Sequence, residues 1–386
     1  MKEYILNLKN VSKETIQIIG AELKRRRIYM SKTLVNLSGV CSISYISKIE
    51  NGKIIPKYSV LRELCEEQGI TEEELQTLLE VDDLINACIE ALFWNNKVKI
   101  ANIYNKINAL DNYKVNMIKI IYEIVYQHWN NVELLLNSIK AIESNLSEKD
   151  FYLYSILKMY YLNALNQYPE VYDINKKLNN CKENYLLALA AKQKFIAVAM
   201  YGLENPESAY KNYYEKYISL FNYNNEEMYE LYISSLIDGD YELPMHLKNE
   251  LKIDLRLKYC LKRKDFEGLE ELLKSYNPTQ YEKLLIATTK DDFTYGEQLF
   301  NKLKLNRLTA KEAIISNYCN YINRGLDDEL ANYIIQVAAP YALKTNDGVM
   351  FKMLLEKLSM LAFNVGKYKA VATLNITYFK MLEKCR

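Results

Sequence analysis

The stretch IGAELKRRRIYMSKTLVNLSGVCSISYISKIENGKIIPKYSVLRELCEEQGI, Ile19–Ile70, decides the reading of the N-terminal part of the chain. Ile16, Ile19, Leu23 and Arg27 recur at helical spacing, which predicts a first helix from Lys13 to Ile28. Ser31 is expected to cap a short second helix carrying Leu34 and Leu37, since a serine there accepts an orphan backbone N–H. Gly39 follows, where a tight turn calls for a residue tolerant of positive φ. Ser42 is expected to cap a third helix, Ile43 to Glu50, with Ile46 and Ile49 inward and Asn51-Gly52 ending it. Ser59 then caps a fourth, with Val60, Leu61 and Leu64 inward. A helix, a glycine-bearing turn and a helix with polar residues outward make a helix-turn-helix.

Charge is segregated around this stretch. Ser12 to Arg62 holds ten Lys or Arg against three Glu, whereas Glu63 to Asp83 holds nine acids and no Lys or Arg. A basic block of this size fits a nucleic-acid footprint, because neutralised phosphates release counterions; it equally fits a solvated charged face. The apolar spacing favours the first.

The segment SGVCSISYISKIENGK (Ser38 to Lys53), followed by Pro56, resembles the helix-turn-helix of Xre or lambda-repressor-like regulators. The resemblance implies that the third helix enters the major groove with Ser42, Ile43, Ser44 and Lys48 toward base edges and Tyr45 beside them. Lys48 would donate to guanine and Ile43 would touch a thymine methyl. Asn51 and Lys53 match positions that grip phosphate, and Arg25 and Glu50 match a structural ion pair between first and third helices. Where the family places Gln near the start of helix two this chain has Lys32, whose charge suits phosphate. Of the cluster Lys24-Arg25-Arg26-Arg27, Lys24 and Arg26 are the expected phosphate contacts.

Outward from the module, residues 84–386 read as one helix after another. Phe93-Trp94-Asn95-Asn96 recurs 35 residues later as His128-Trp129-Asn130-Asn131, with weaker echoes at Tyr168, Lys264-Asp265-Phe266, Asp291-Asp292-Phe293 and Gly366-Lys367-Tyr368. Such a period predicts a tetratricopeptide-like α-solenoid, in which each pair buries its face against its neighbours. A concave inner wall would suit an extended peptide; Tyr160, Asn163, Asn317, Tyr318 and Tyr321 are the candidates for lining it, since Asn pairs peptide amides at both donor and acceptor.

Composition supports an all-α chain: 11 Gly and 6 Pro in 386 residues are too few for the turns of a sheet protein. The expected domains are residues 1–75, an acidic connector to about 83, and the array. Two His, at 128 and 246, and the absence of HExxH, GxGxxG or GxxxxGK[ST] motifs argue against an enzyme and against metal or cofactor sites. Seven Cys without a CxxC pair read as reduced core thiols, and no run of 18 apolar residues occurs, so a cytoplasmic protein off the membrane is expected.

A helix-turn-helix followed by such an array resembles the RRNPP family of peptide-responsive regulators, and within it the RstA-type regulators of toxin production and sporulation. The resemblance implies a homodimer on double-stranded promoter DNA, joined through the array, with a short signalling peptide held in the array for quorum sensing. A Rap-type adaptor that sequesters a protein partner is the other reading, although that branch lacks a DNA-reading module.

Overall fold

Ser12 accepts a bond from the Thr15 amide and opens α1 (Lys13–Tyr29), whose Ile18, Ile19, Ala21 and Leu23 are buried. The computed structural model describes residues 12–178, 181–201, 205–223, 226–239, 241–243, 247–248 and 251–383; among them there is no strand, so the chain is all-α. His246 and Cys385 lie outside these residues. By compactness the chain divides into Met1–Ala164 with Ile174–Gln193, and Leu165–Asp173 with Lys194–Arg386. The division falls within the array, and the basic module shares its unit with the first helix pairs.

The module departs from its expected outline at several places. Ser31 starts no helix: its φ is 54°, and Lys32 N–H reaches back to the Arg27 carbonyl, so it ends α1. The second helix is a single 3-10 turn, Val35–Leu37, set by Asn36 Oδ1, which accepts from the Thr33 amide and hydroxyl. Gly39 has neither a positive φ nor a neighbour within 4 Å of an added Cβ, so nothing there demands glycine. Ser42 does cap α2 (Ile43–Glu50), and Asn51 with left-handed Gly52 ends it. Helix α3 (Tyr58–Glu67) starts one residue before the expected Ser59 cap, from Lys57, without a side-chain cap bond. The acidic stretch is no mere linker, because Thr71 and Glu74 form a reciprocal capping box that opens α4 (Glu72–Glu80). Gly20 and Gly52 let α1 and α2 touch. A Cβ on Gly20 would lie 2.2 Å from the Ile49 carbonyl oxygen, and one on Gly52 2.8 Å from Gln17 Cα.

The array of the first unit follows as α5 (Asp82–Phe93), α6 (Lys97–Ile107), α7 (Tyr113–Val125), α8 (Trp129–Lys140) and α9 (Glu148–Ala164), with α5 packed on α7 and α7 on α9. Next come α10 (Tyr168–Lys176), α11 (Asn184–Tyr201), α12 (Pro206–Tyr214) and α13 (Glu226–Asp238). The second unit continues with α14 (Ile253–Arg263), α15 (Phe266–Leu273), α16 (Gln280–Thr289), α17 (Phe293–Lys302), α18 (Ala310–Asn323) and α19 (Asp327–Tyr333). It closes with α20 (Ala339–Lys344), α21 (Gly348–Val365) and α22 (Tyr368–Glu383). Small cores link successive helices of the second unit. Ile233, Leu236 and Leu255 join α13 to α14; Leu257, Leu269 and Ile286 join α14 to α15 and α16; Leu284, Leu299 and Cys319 join α16 to α17 and α18. That is the nearest-neighbour logic of a solenoid.

The repeat is real, but the 35-residue echo is out of register. Among the described residues, one left-handed residue makes the turn within each of seven pairs: Asn95, Gln127, Asn166, Lys264, Asp291, Gly325 and Gly366. Asn and Asp bear such a φ better than most side chains. Trp94 precedes its left-handed residue, whereas Trp129 follows its own by two and begins α8. Trp129 therefore corresponds to Tyr168, Phe266, Phe293 and Tyr368, each the first residue of a pair's second helix. Asn96, Asp265 and Asp292 cap those helices, while His128 turns back to Glu123 through Nδ1 at 2.7 Å.

Candidate nucleic-acid interface and array cavity

Helix α2 buries Ile46, Ile49 and Glu50 and turns Ile43, Ser44 and Lys48 outward. Ile43 is 42% exposed. Ser42 is exposed at the cap and Tyr45 is half-buried; Lys53 and Lys57 are exposed just beyond the helix. The outward face is thus a short stripe of small, apolar and cationic groups on a two-turn helix.

The four cations of α1 have a different fate. Glu50 is held by Arg27, through Nε at 2.7 Å and Nη2 at 2.8 Å, and not by Arg25 as the sequence suggests. Two residues turn a helix by about 200°, so Arg25 points away from α2. Arg25 is 2% exposed, grips Glu22 through two bonds of 2.9 and 2.7 Å, and meets Asp111 at 3.2 Å. Arg26, an expected phosphate contact, instead bonds Glu74, the Asp111 carbonyl and Glu22. Lys24 donates to Asn145 Oδ1 at 2.7 Å. Lys32 donates to the Glu67 carbonyl at the end of α3. These cations are spent inside the fold because acids and carbonyls distant in sequence converge on them.

The seam between module and array is polar and buried. Glu22 Oε2 accepts from the Tyr113 amide at 3.0 Å, and the Tyr113 hydroxyl donates to Asp150 at 2.8 Å. Burial, then Asp150, pushes the Tyr113 phenol well above its ordinary range. Burial would raise the Asp111 carboxyl, but Arg25 and Arg26 outweigh it and hold the group below 3.8. Asn51, an expected phosphate grip, donates to the Ser47 carbonyl at 2.7 Å and accepts from Asn145 at 3.1 Å. Asn145 and Asp111 carry no motif; only the fold shows their part.

The five expected peptide-wall residues fall in both units. Asn163 donates to the Gln193 carbonyl at 3.0 Å and to its Oε1 at 2.9 Å, and Tyr160 sits beside Gln193 with its phenol pushed up by burial. Both belong to the first unit, whereas Asn317, Tyr318 and Tyr321 belong to the second. Asn317 donates to Ala313 of its own helix, Tyr318 packs on the Leu284–Leu299 core, and Tyr321 meets the Tyr333 ring. The second unit does hold a cavity of about 560 Å3 among α11, α12, α13, α14, α18 and α21. Its walls include Val198, Met200, Ile315 and Met350, with Lys262 and Lys352 exposed at its edge. Lys258 and Lys311, also there, are paired with Asp238 and Asp347, each at 2.6 Å.

Cys65, Cys88, Cys181, Cys260 and Cys319 are buried and unbridged, and burial pushes the Cys65 and Cys88 thiols up to about 12. Among the described residues no helix is long and apolar enough to cross a membrane.

Compared with known proteins, the chain is similar to the transcriptional activator NprA of Geobacillus stearothermophilus, 27% identical over 164 residues. The match covers 41% of this chain and spans 37% of the length of that relative. No family model matches the chain. No solved structure gives a significant match either.

Proposed function

We propose that this chain is a sequence-specific DNA-binding transcriptional regulator of the RRNPP kind, reading duplex DNA with the outward face of α2. The observation that carries this is the contrast in cation use: the α1 cluster is paired internally, while Lys48, Lys53 and Lys57 stand exposed on and after α2 beside Ile43 and Ser44. Sequence is read by side chains reaching base edges, and flanking lysines supply the phosphate attraction. The similarity to a protein named as a transcriptional activator supports the same reading. One module covers only a half-site, so the working form is a homodimer joined through the array.

The reading extends to a short peptide ligand for the array, the basis of a quorum-sensing role. Its place is the second unit's cavity, where apolar walls meet Lys262 and Lys352 and where the two lysines suit an acidic group. The test is selection by the full-length protein from a pool of random duplexes. Enrichment of one two-fold-symmetric motif is expected. A pool that stays random would overturn the DNA reading in favour of an adaptor that binds a protein partner.

A further inference from the structure

Asn145 lies in the 3-10 turn Glu143–Asn145 between α8 and α9, and is 6% exposed. Its Nδ2 donates to the Glu50 carbonyl at 3.0 Å and to Asn51 Oδ1 at 3.1 Å. Its Oδ1 accepts from Lys24 Nζ at 2.7 Å and from Ser144 Oγ at 3.1 Å. The chemistry of the partners fixes the orientation of this amide. A lysine ammonium can only donate, so oxygen faces Lys24; a peptide carbonyl can only accept, so nitrogen faces Glu50. Both ends of the side chain are used, and a carboxylate cannot do the same work.

We propose that Asn145 is a positioning residue for DNA reading: an array side chain that sets the angle at which α2 meets base edges. The proposal rests on the assignment of α2 given above. Glu50 is the last residue of α2, and its carbonyl is one of those a helix end leaves without an internal partner. Asn145 satisfies it from another part of the chain. Close by, Gln17 Nε2 donates to the Leu146 carbonyl at 2.7 Å, and Gly52 lies against Gln17. The end of α2, the start of α1 and the turn from α8 to α9 therefore meet at one joint.

An eight-residue helix is about 12 Å long, so a tilt of about 5° at its end moves its first residues by about 1 Å. Contacts that discriminate bases need placement within about 0.5 Å. Phosphate contacts carry no sequence information, and attraction to the backbone depends mainly on charge. Loosening this joint thus costs specificity before it costs general affinity. Asn51 acts as part of the joint, its amide committed to Ser47 and its oxygen to Asn145. A movement of the α8–α9 turn reaches the reading helix through one amide.

The test uses the full chain and Asn145→Asp, which keeps an acceptor for Lys24 and sets oxygen against the Glu50 carbonyl. The probes are the duplex enriched by wild type and a scrambled duplex of the same composition. Asn145→Asp is expected to lower affinity for the enriched duplex at least tenfold and leave the scrambled one within twofold. In the free protein, amide exchange over residues 47–53 is expected to quicken at least tenfold, with 153–157 in α9 unchanged. An unchanged ratio of the two affinities would overturn the proposal. Should exchange over 153–157 rise as well, the variant is unfolding, and Lys24→Met replaces it. There a roughly threefold drop in the ratio supports the joint, whereas an equal loss on both duplexes makes Lys24 a phosphate contact and overturns it. If wild type enriches no duplex, the DNA assignment has failed, and the exchange result alone decides whether Asn145 holds α2.

Discussion

Cationic side chains occur within one 50-residue block on α1 and on and after α2, and the two regions spend them in opposite ways. On α1, Lys24, Arg25, Arg26 and Arg27 all meet partners inside the protein. On and after α2, Lys48, Lys53 and Lys57 remain exposed. A count of charges treats the two alike. What separates them is supply of acceptors: α4 brings Glu74 to α1, the array brings Asp111 and Asn145, and none of them is brought to the outward face of α2. Clustered cations near a reading helix therefore mark a docking seam as readily as a phosphate grip.

Removing one half of the most buried pair should break this contrast most severely. Arg25→Ala leaves the Glu22 carboxylate, itself 2% exposed, without its main partner. Loss of one member of a buried pair costs about 3–5 kcal/mol, to be read as a lower urea midpoint for the first unit. Gly20→Ala comes next, since its Cβ would press on the Ile49 carbonyl at 2.2 Å. Overpacking of this kind costs about 1–3 kcal/mol and should appear as a drop in thermal midpoint.

Asp111→Asn sharpens the electrostatic side. Arg25 and Arg26 hold the Asp111 carboxyl below 3.8, so its contribution is present above that pH and is lost as pH falls through the lowered value. The group is 39% exposed, which limits the effect to about 1 kcal/mol at neutral pH. Denaturation curves of the two proteins should differ at pH 7 and converge as the pH drops below 3.8. Smallest of all is Arg62→Ala on the surface of α3. It breaks only the exposed pair with Glu66 at 3.4 Å and should shift stability by less than about 0.5 kcal/mol.

Local chemistry was legible along the chain. Ser42, Asn51-Gly52, Asp265 and Asp292 act where their capping preferences place them, and α2 runs over the residues the sequence indicates. Features decided at a distance were not. Arg25 and Arg27 are indistinguishable in a string of basic residues, and only the packing of α1 on α2 and on the α6–α7 turn assigns one to Glu50 and the other to Glu22 and Asp111. The Trp94 and Trp129 echo misled because an aromatic can stand on either side of a left-handed residue, and φ is not written in the sequence. Asn163 suits a ligand amide by its chemistry, and the fold commits only half of it: Gln193, 30 residues on, takes its N–H groups, while its Oδ1 is buried without a partner.

The central claim is that α2 reads bases while the α1 cluster stays inside. It is tested most directly by measuring the affinity of wild type and Lys48→Ala for the enriched and the scrambled duplex across a salt series. A lost base contact is worth about 1–3 kcal/mol, so Lys48→Ala should weaken the enriched duplex roughly 5- to 150-fold and relax one base position, with the scrambled duplex little changed. Equal affinities of wild type and Lys48→Ala for both duplexes at every salt concentration would contradict the assignment of α2.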